Sequence, residues 1–103
     1  PRDMDEQARV ARFVDEHDLS CPPAYRLLDL SAEVGELAAD ATESSGYGTT
    51  PDALSVKEDE LGDTLFALLA LCEELDVDAG EALDTAIGKY EGRLTERGDA
   101  GSQ

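Results

Sequence analysis

The sequence predicts an all-α protein, a four-helix-type bundle built up by oligomerisation. Three observations point there. Apolar residues recur at helical spacing in four segments, β-type alternation is weak throughout, and Pro or Gly clusters separate the segments. A chain of 103 residues has room for one domain. Residues 1–97 read as that domain and 98–103 as a disordered polar tail.

Segment one runs from Asp3 to His17. Asp3 and Glu6 resemble an acidic capping box, Val10, Phe13, Val14 and His17 share one face, and Cys21-Pro22-Pro23 ends the run. Segment two runs from Ala24 to Glu43. Its apolar stripe is Leu27, Leu30, Val34, Leu37 and Ala41, and its acid stripe is Asp29, Glu33, Glu36, Asp40 and Glu43. Ser44 to Thr50 reads as a loop, and Pro51 starts a short turn. Segment three, Val56 to Leu75, carries Leu61, Leu65, Leu68, Cys72 and Leu75 on a broad stripe that Phe66 and Leu69 widen. It is apolar nearly all round from Leu65, so it needs cover on most sides, including from another subunit. Segment four, Ala79 to Arg97, has Asp78 as its cap and Leu83, Ala86, Ile87, Tyr90 and Leu94 as its core stripe.

Composition excludes several classes. Eight basic against 25 acidic residues leave a net charge of −17, so neither a nucleic-acid duplex nor an anionic membrane finds a basic footprint. The longest apolar run, Leu65 to Cys72, is far shorter than the ~20 residues of a spanning helix. No basic stretch leading into an apolar one opens the sequence, so no export signal is expected. Cys21 and Cys72 form no recognisable framework. A reduced, cytoplasmic protein is the expectation. Dispersed acid with only two lysines looks like the composition of proteins from salt-loving organisms, where a Debye length of roughly 3 Å at molar salt screens such self-repulsion.

Acids three residues apart share a helix face and can share a cation. Five Glu-x-x-acid pairs occur, against about three expected by chance, so context has to decide. Glu81/Asp84 serves a helix start, Glu73/Asp76 a helix end, and Glu96/Asp99 the tail. Glu33/Glu36 and Glu60/Asp63 differ. Glu60 and Asp63 lie on the same side as the small Ala67 and Ala70 of an otherwise apolar helix. If segments two and three pack antiparallel, the two pairs converge, and four like charges need a cation or raised pKa values. Four oxygen donors without Cys or His favour Mg²⁺, with Mn²⁺ as the alternative, over Zn²⁺. A solvated acidic face is the competing reading of the same spacing.

The strings Ser31-Ala32-Glu33-Val34-Gly35-Glu36-Leu37 and Glu58-Asp59-Glu60-Leu61-Gly62-Asp63-Thr64-Leu65-Phe66 resemble the MazG-like nucleoside triphosphate pyrophosphohydrolases, whose signature is an ExxE pair, a spacer, then an ExxD pair. The resemblance spans roughly residues 24–95. It implies an all-α homodimer or tetramer that hydrolyses a nucleoside triphosphate to monophosphate and pyrophosphate with Mg²⁺. It implies Glu33, Glu36, Glu60 and Asp63 as metal ligands, with Glu33 or Glu36 orienting the attacking water. Ala32 stands where the family often has another acid. Lys89 and Arg93, four apart on segment four with Arg97, resemble the family's C-terminal contacts to the substrate phosphates, and cations complementing a helix C-terminus are the plainer reading. Two alternatives stay open: a non-catalytic helical interaction module, and an enzyme acting on phosphoribosyl-ATP. His17 reads as partly buried or capping, Cys72 as a small core hydrophobe, and Tyr47 with its glycines as a plain loop rather than a flap over the site.

Overall fold

The chain turns where proline and glycine interrupt the helical pattern. The computed structural model describes residues 5–97; the expected cap Asp3 and the expected tail 98–103 lie outside the described residues. Four helices follow in order: α1 (Asp5–Glu16), α2 (Pro23–Ser44), α3 (Glu58–Glu74) and α4 (Ala79–Arg97), with a 3-10 turn at Pro51–Ala53. The described residues contain no strand, and no helix among them is long and apolar enough to cross a membrane.

Helix starts follow local chemistry. Pro23 opens α2, where its missing N–H is not needed. The Glu81 N–H donates to Asp78 Oδ1 at 3.1 Å, the forward half of the expected capping box. α3 begins at Glu58 rather than Val56, because Lys57 remains extended. α1, α2 and α3 end alike. The N–H of Leu19, Tyr47 and Val77 each donates five residues back, to Val14, Thr42 and Cys72, at 2.8–2.9 Å. In each case the preceding residue has positive φ: Asp18, Gly46 and Asp76. These are Schellman closures, and aspartate tolerates the left-handed position that glycine usually fills.

α3 is the central helix. α2 packs antiparallel to it, and partners ascend on α2 as they descend on α3. Ser44 Oγ accepts from the Ser55 N–H at 2.8 Å, and the Lys57 N–H donates to Asp40 Oδ2 at 3.4 Å. Further along, the Glu36 charge acts on Glu60 and that of Asp63 on Glu33. α1 lies on another side of α3, with Phe13 edge-on to Phe66 at 5.9 Å. The core is Val10, Val14, Leu69 and Ala70, backed by Phe66 and Ala79. Gln7 is completely buried. It donates to Glu73 Oε2 (2.7 Å) and to the Val77 carbonyl (2.8 Å), and accepts the Ala79 N–H (2.7 Å), tying α1 to the end of α3 and the start of α4. Glu74 holds the α1–α2 loop: it accepts from Ser20 Oγ and the Cys21 N–H and pairs with the Arg26 guanidinium.

Several expected core positions are not core within one chain. On α2, Leu27 and Val34 are exposed, and the helix turns the side bearing Arg26, Glu33 and Asp40 toward α3. On α3, the small Ala67 and Ala70 and the large Leu69 are buried, whereas Leu61, Leu65, Leu68 and Leu75 are exposed. Leu69 and Ala70 pack with Val10 and Val14 of α1, so the side of α3 that its own chain buries differs from the stripe of Leu61, Leu65, Leu68 and Leu75. The α4 stripe of Leu83, Ile87, Tyr90 and Leu94 is exposed, because α4 makes few contacts with the other helices. His17 is exposed as well, its ring 4.5 Å from that of Phe13.

Candidate acidic site between α2 and α3

The antiparallel pairing sets Glu33 and Glu36 of α2 against Glu60 and Asp63 of α3. Glu33, Asp40 and Glu60 are partly buried; Glu36 and Asp63 are exposed. Partial burial raises the pKa of Glu33, and the charges of Asp63, Glu36 and Asp29 raise it further. A hydrogen bond shared with the Asp40 carboxyl pushes Glu60 up to about 7, aided by partial burial and the Asp40 and Glu36 charges, against the lowering effect of Lys57. The same shared proton holds Asp40 low, with help from the Lys57 backbone and charge. Of the two, Glu60 is therefore the group that holds a proton as pH rises toward about 7.

Asp40 is the residue that sequence reasoning missed as part of the site. Its signal was weak: one more acid in the polar stripe, in no Glu-x-x-acid pair. Its position one turn beyond Glu36, facing α3, makes it the partner of Glu60.

The donor set suits a hard divalent cation. All four expected ligands offer oxygen, and Glu60 Oε1 is buried with no N–H or hydroxyl facing it, a position a cation can satisfy. Among the described residues, no three Asp, Glu, His or Cys side chains are drawn together tightly enough to hold one ion. Separated pairs are compatible with Mg²⁺, which takes few protein ligands and completes its shell with water and phosphate.

Lys89 and Arg93 do not join this cluster within one chain. Both lie against the Tyr90 ring, at 5.3 and 5.5 Å from its centroid, on α4. Neither acts on Glu33, Asp40 or Glu60; the cation that does, on Asp40 and Glu60, is Lys57. Tyr47 sits between Gly46 and Gly48 with positive φ, its side chain 81% exposed.

The chain is similar to the uncharacterized protein YpjD of Bacillus subtilis (strain 168), with 33% identity over 97 residues that cover 90% of this chain and 86% of that one. No family model and no solved structure matches it.

Proposed function

The chain belongs to the family of Bacillus subtilis YpjD, and from its acidic site we propose that it is a Mg²⁺-dependent nucleoside triphosphate pyrophosphohydrolase of the MazG-like kind. One observation carries this reading: two carboxylate pairs, Glu33/Glu36 and Glu60/Asp63, oppose each other across an antiparallel helix pair, where partial burial and then the Asp63 and Glu36 charges raise Glu33, and a hydrogen bond with Asp40 raises Glu60. Like charges held together at a structural cost call for a cation.

Glu33, Glu36, Glu60 and Asp63 would hold Mg²⁺, whose role when bound is to neutralise phosphate charge and polarise the phosphoryl group. Glu33 or Glu36 orients a water molecule in line with the α-phosphorus. The water oxygen bonds to that phosphorus, the bridging α–β oxygen leaves with pyrophosphate, and the lost proton passes to a carboxylate. Asp40 acts behind this set through its hydrogen bond with Glu60, whose proton a bound cation would displace. Lys89 and Arg93 bind substrate phosphates when α4 of another copy is near, which makes the working form a homodimer or tetramer. The acidic charge and low lysine content suit a cytoplasm of high salt.

A product assay in molar KCl with Mg²⁺ and a panel of canonical and modified triphosphates, run beside phosphoribosyl-ATP, tests the reading. Monophosphate plus pyrophosphate from a nucleoside triphosphate is the expected result. Turnover of phosphoribosyl-ATP alone transfers the assignment to that substrate. No product from folded protein leaves a helical interaction module. Glu60→Gln abolishes turnover while leaving helix content unchanged; near-normal turnover in that variant removes Glu60 from the site.

A further inference from the structure

The contacts between α2 and α3 form a ladder that does not stop at the carboxylates. Ser44 meets Ser55 at one end, and Asp40 meets Lys57 on the next rung. Glu36 with Glu60, then Glu33 with Asp63, follow toward the other end. Lys57 thus stands one rung beyond the four proposed ligands, and its backbone is fixed there. Its N–H donates to Asp40 Oδ2 at 3.4 Å, and its carbonyl accepts the N–H groups of Glu60 and Leu61 at 3.2 and 3.3 Å. The residue is extended and exposed, so a flexible four-carbon stem starts from an anchored backbone. Its charge reaches both Asp40 and Glu60.

A cation at this place answers a charge problem. The chain carries a net charge of −17, and Glu33, Glu36, Asp40, Glu60 and Asp63 gather on one helix pair. A triphosphate is itself an anion and is repelled by such a cluster. Lysine is scarce, two residues in 103, and one of the two is Lys57. The other, Lys89, lies on α4 against the Tyr90 ring, away from the cluster.

We propose that Lys57 binds the pyrophosphate end of the substrate, in the same chain that supplies the carboxylates. This assignment rests on the reaction proposed above and adds a binding residue to it. Direction comes from the order of the rungs. In-line displacement sets the attacking water and the leaving oxygen on opposite sides of the α-phosphorus. Glu33 or Glu36 orients the water, and both lie toward the Asp63 end of the ladder. The leaving pyrophosphate then points toward Lys57. As the water oxygen bonds to the α-phosphorus, the bond from that phosphorus to the bridging oxygen breaks. Its electron pair stays on the bridging oxygen, the water proton passes to a carboxylate, and the Lys57 ammonium donates to the pyrophosphate oxygens. Unlike Lys89 and Arg93, Lys57 needs no second copy for this.

Calorimetric titration of the full chain in molar KCl tests the assignment. The probes are Mg²⁺ alone, and inorganic pyrophosphate at saturating Mg²⁺. Wild type is compared with Lys57→Gln and Lys57→Arg; the side chain is exposed, so neither change opens a cavity, and circular dichroism checks the fold. Lys57→Gln should weaken pyrophosphate binding about tenfold without lowering Mg²⁺ affinity, and Lys57→Arg should stay within about threefold of wild type. Equal pyrophosphate affinity in wild type and Lys57→Gln overturns the assignment. So does a wild type that binds no pyrophosphate at millimolar concentration. A fall in Mg²⁺ affinity that matches the fall in pyrophosphate affinity also overturns it, because the lysine then only supports the carboxylates. Triphosphate hydrolysis is measured separately. Lysine-dependent pyrophosphate binding without hydrolysis removes the reaction and keeps Lys57 as a diphosphate contact. Hydrolysis by Lys57→Gln at the wild-type kcat/KM keeps the reaction and removes Lys57 from it.

Discussion

Glu60 and Asp40 share one proton at the α2–α3 interface, and the sign of its effect on stability follows from the two shifts. Glu60 moves from an ordinary 4.5 up to about 7. Its contribution to stability is fully present below about pH 4.5 and is lost as pH rises through about 7. Glu33 shifts the same way. Asp40, lowered from 3.8, contributes above that value and loses its contribution only as pH falls through its folded-state value. Without divalent ions, the melting temperature should therefore fall between about pH 5 and pH 8, and Glu60→Gln should flatten that slope. Thermal denaturation followed by circular dichroism checks it, and an undiminished slope in the variant assigns the effect to other groups. Gln7 matters on purely structural grounds. Gln7→Ala removes three buried hydrogen bonds that tie α1 to the α3–α4 junction, and should cost about 3 kcal/mol in denaturant unfolding. Neither Gln7 nor Asp40 stood out in the sequence, because a single polar residue on a helix announces its partner only after the helices are packed.

Helix boundaries were legible almost throughout, since prolines, caps and loop composition act locally. What each helix buries was less legible. Amphipathicity named Leu27, Leu30, Val34, Leu37 and Ala41 as the stripe to be buried, yet α2 half-buries Leu30, Leu37 and Ala41 together with Glu33 and Asp40 and leaves Leu27 and Val34 exposed. α4 is the extreme case: its boundaries agree with the sequence reading, but Leu83, Ile87, Tyr90 and Leu94 of its stripe stay 40% to 51% exposed. A lone helix of this length is marginal in water, and Gly88 and Gly92 weaken it further. Neither glycine has a neighbour that an added Cβ would meet. Gly88→Ala should therefore stabilise α4 by about 1 kcal/mol. Hydrogen exchange of the α4 amides measures this, with protection in residues 79–97 rising and that of α1–α3 unchanged.

The whole molecule is governed by charge and by unfinished burial. Its Cα radius of gyration is 16.6 Å, against about 13 Å for a compact domain of 100 residues. A net charge of −17 on so small a chain opposes both folding and the approach of a second copy. Salt relieves both, because the Debye length shrinks from about 30 Å at 0.01 M to about 3 Å at 1 M. The melting temperature should accordingly rise with KCl, and the fraction of dimer in sedimentation should rise with it. A melting temperature independent of KCl would show that the acids are spaced widely enough not to interact.

By itself the sequence determined the helices, their order, the all-α class and the two carboxylate pairs, because these depend on the spacing and local chemistry of neighbouring residues. Only the tertiary structure decided that α2 and α3 run antiparallel with those pairs opposed, that Asp40 shares the Glu60 proton, and that Lys89 and Arg93 stand apart on a helix its own chain does not cover. The physical reason is that one-dimensional periodicity fixes which residues share a face, whereas which face is buried depends on how closely another helix can approach. On α3 the buried side combines the small Ala67 and Ala70 with the large Leu69, while Leu61, Leu65, Leu68 and Leu75 stay exposed.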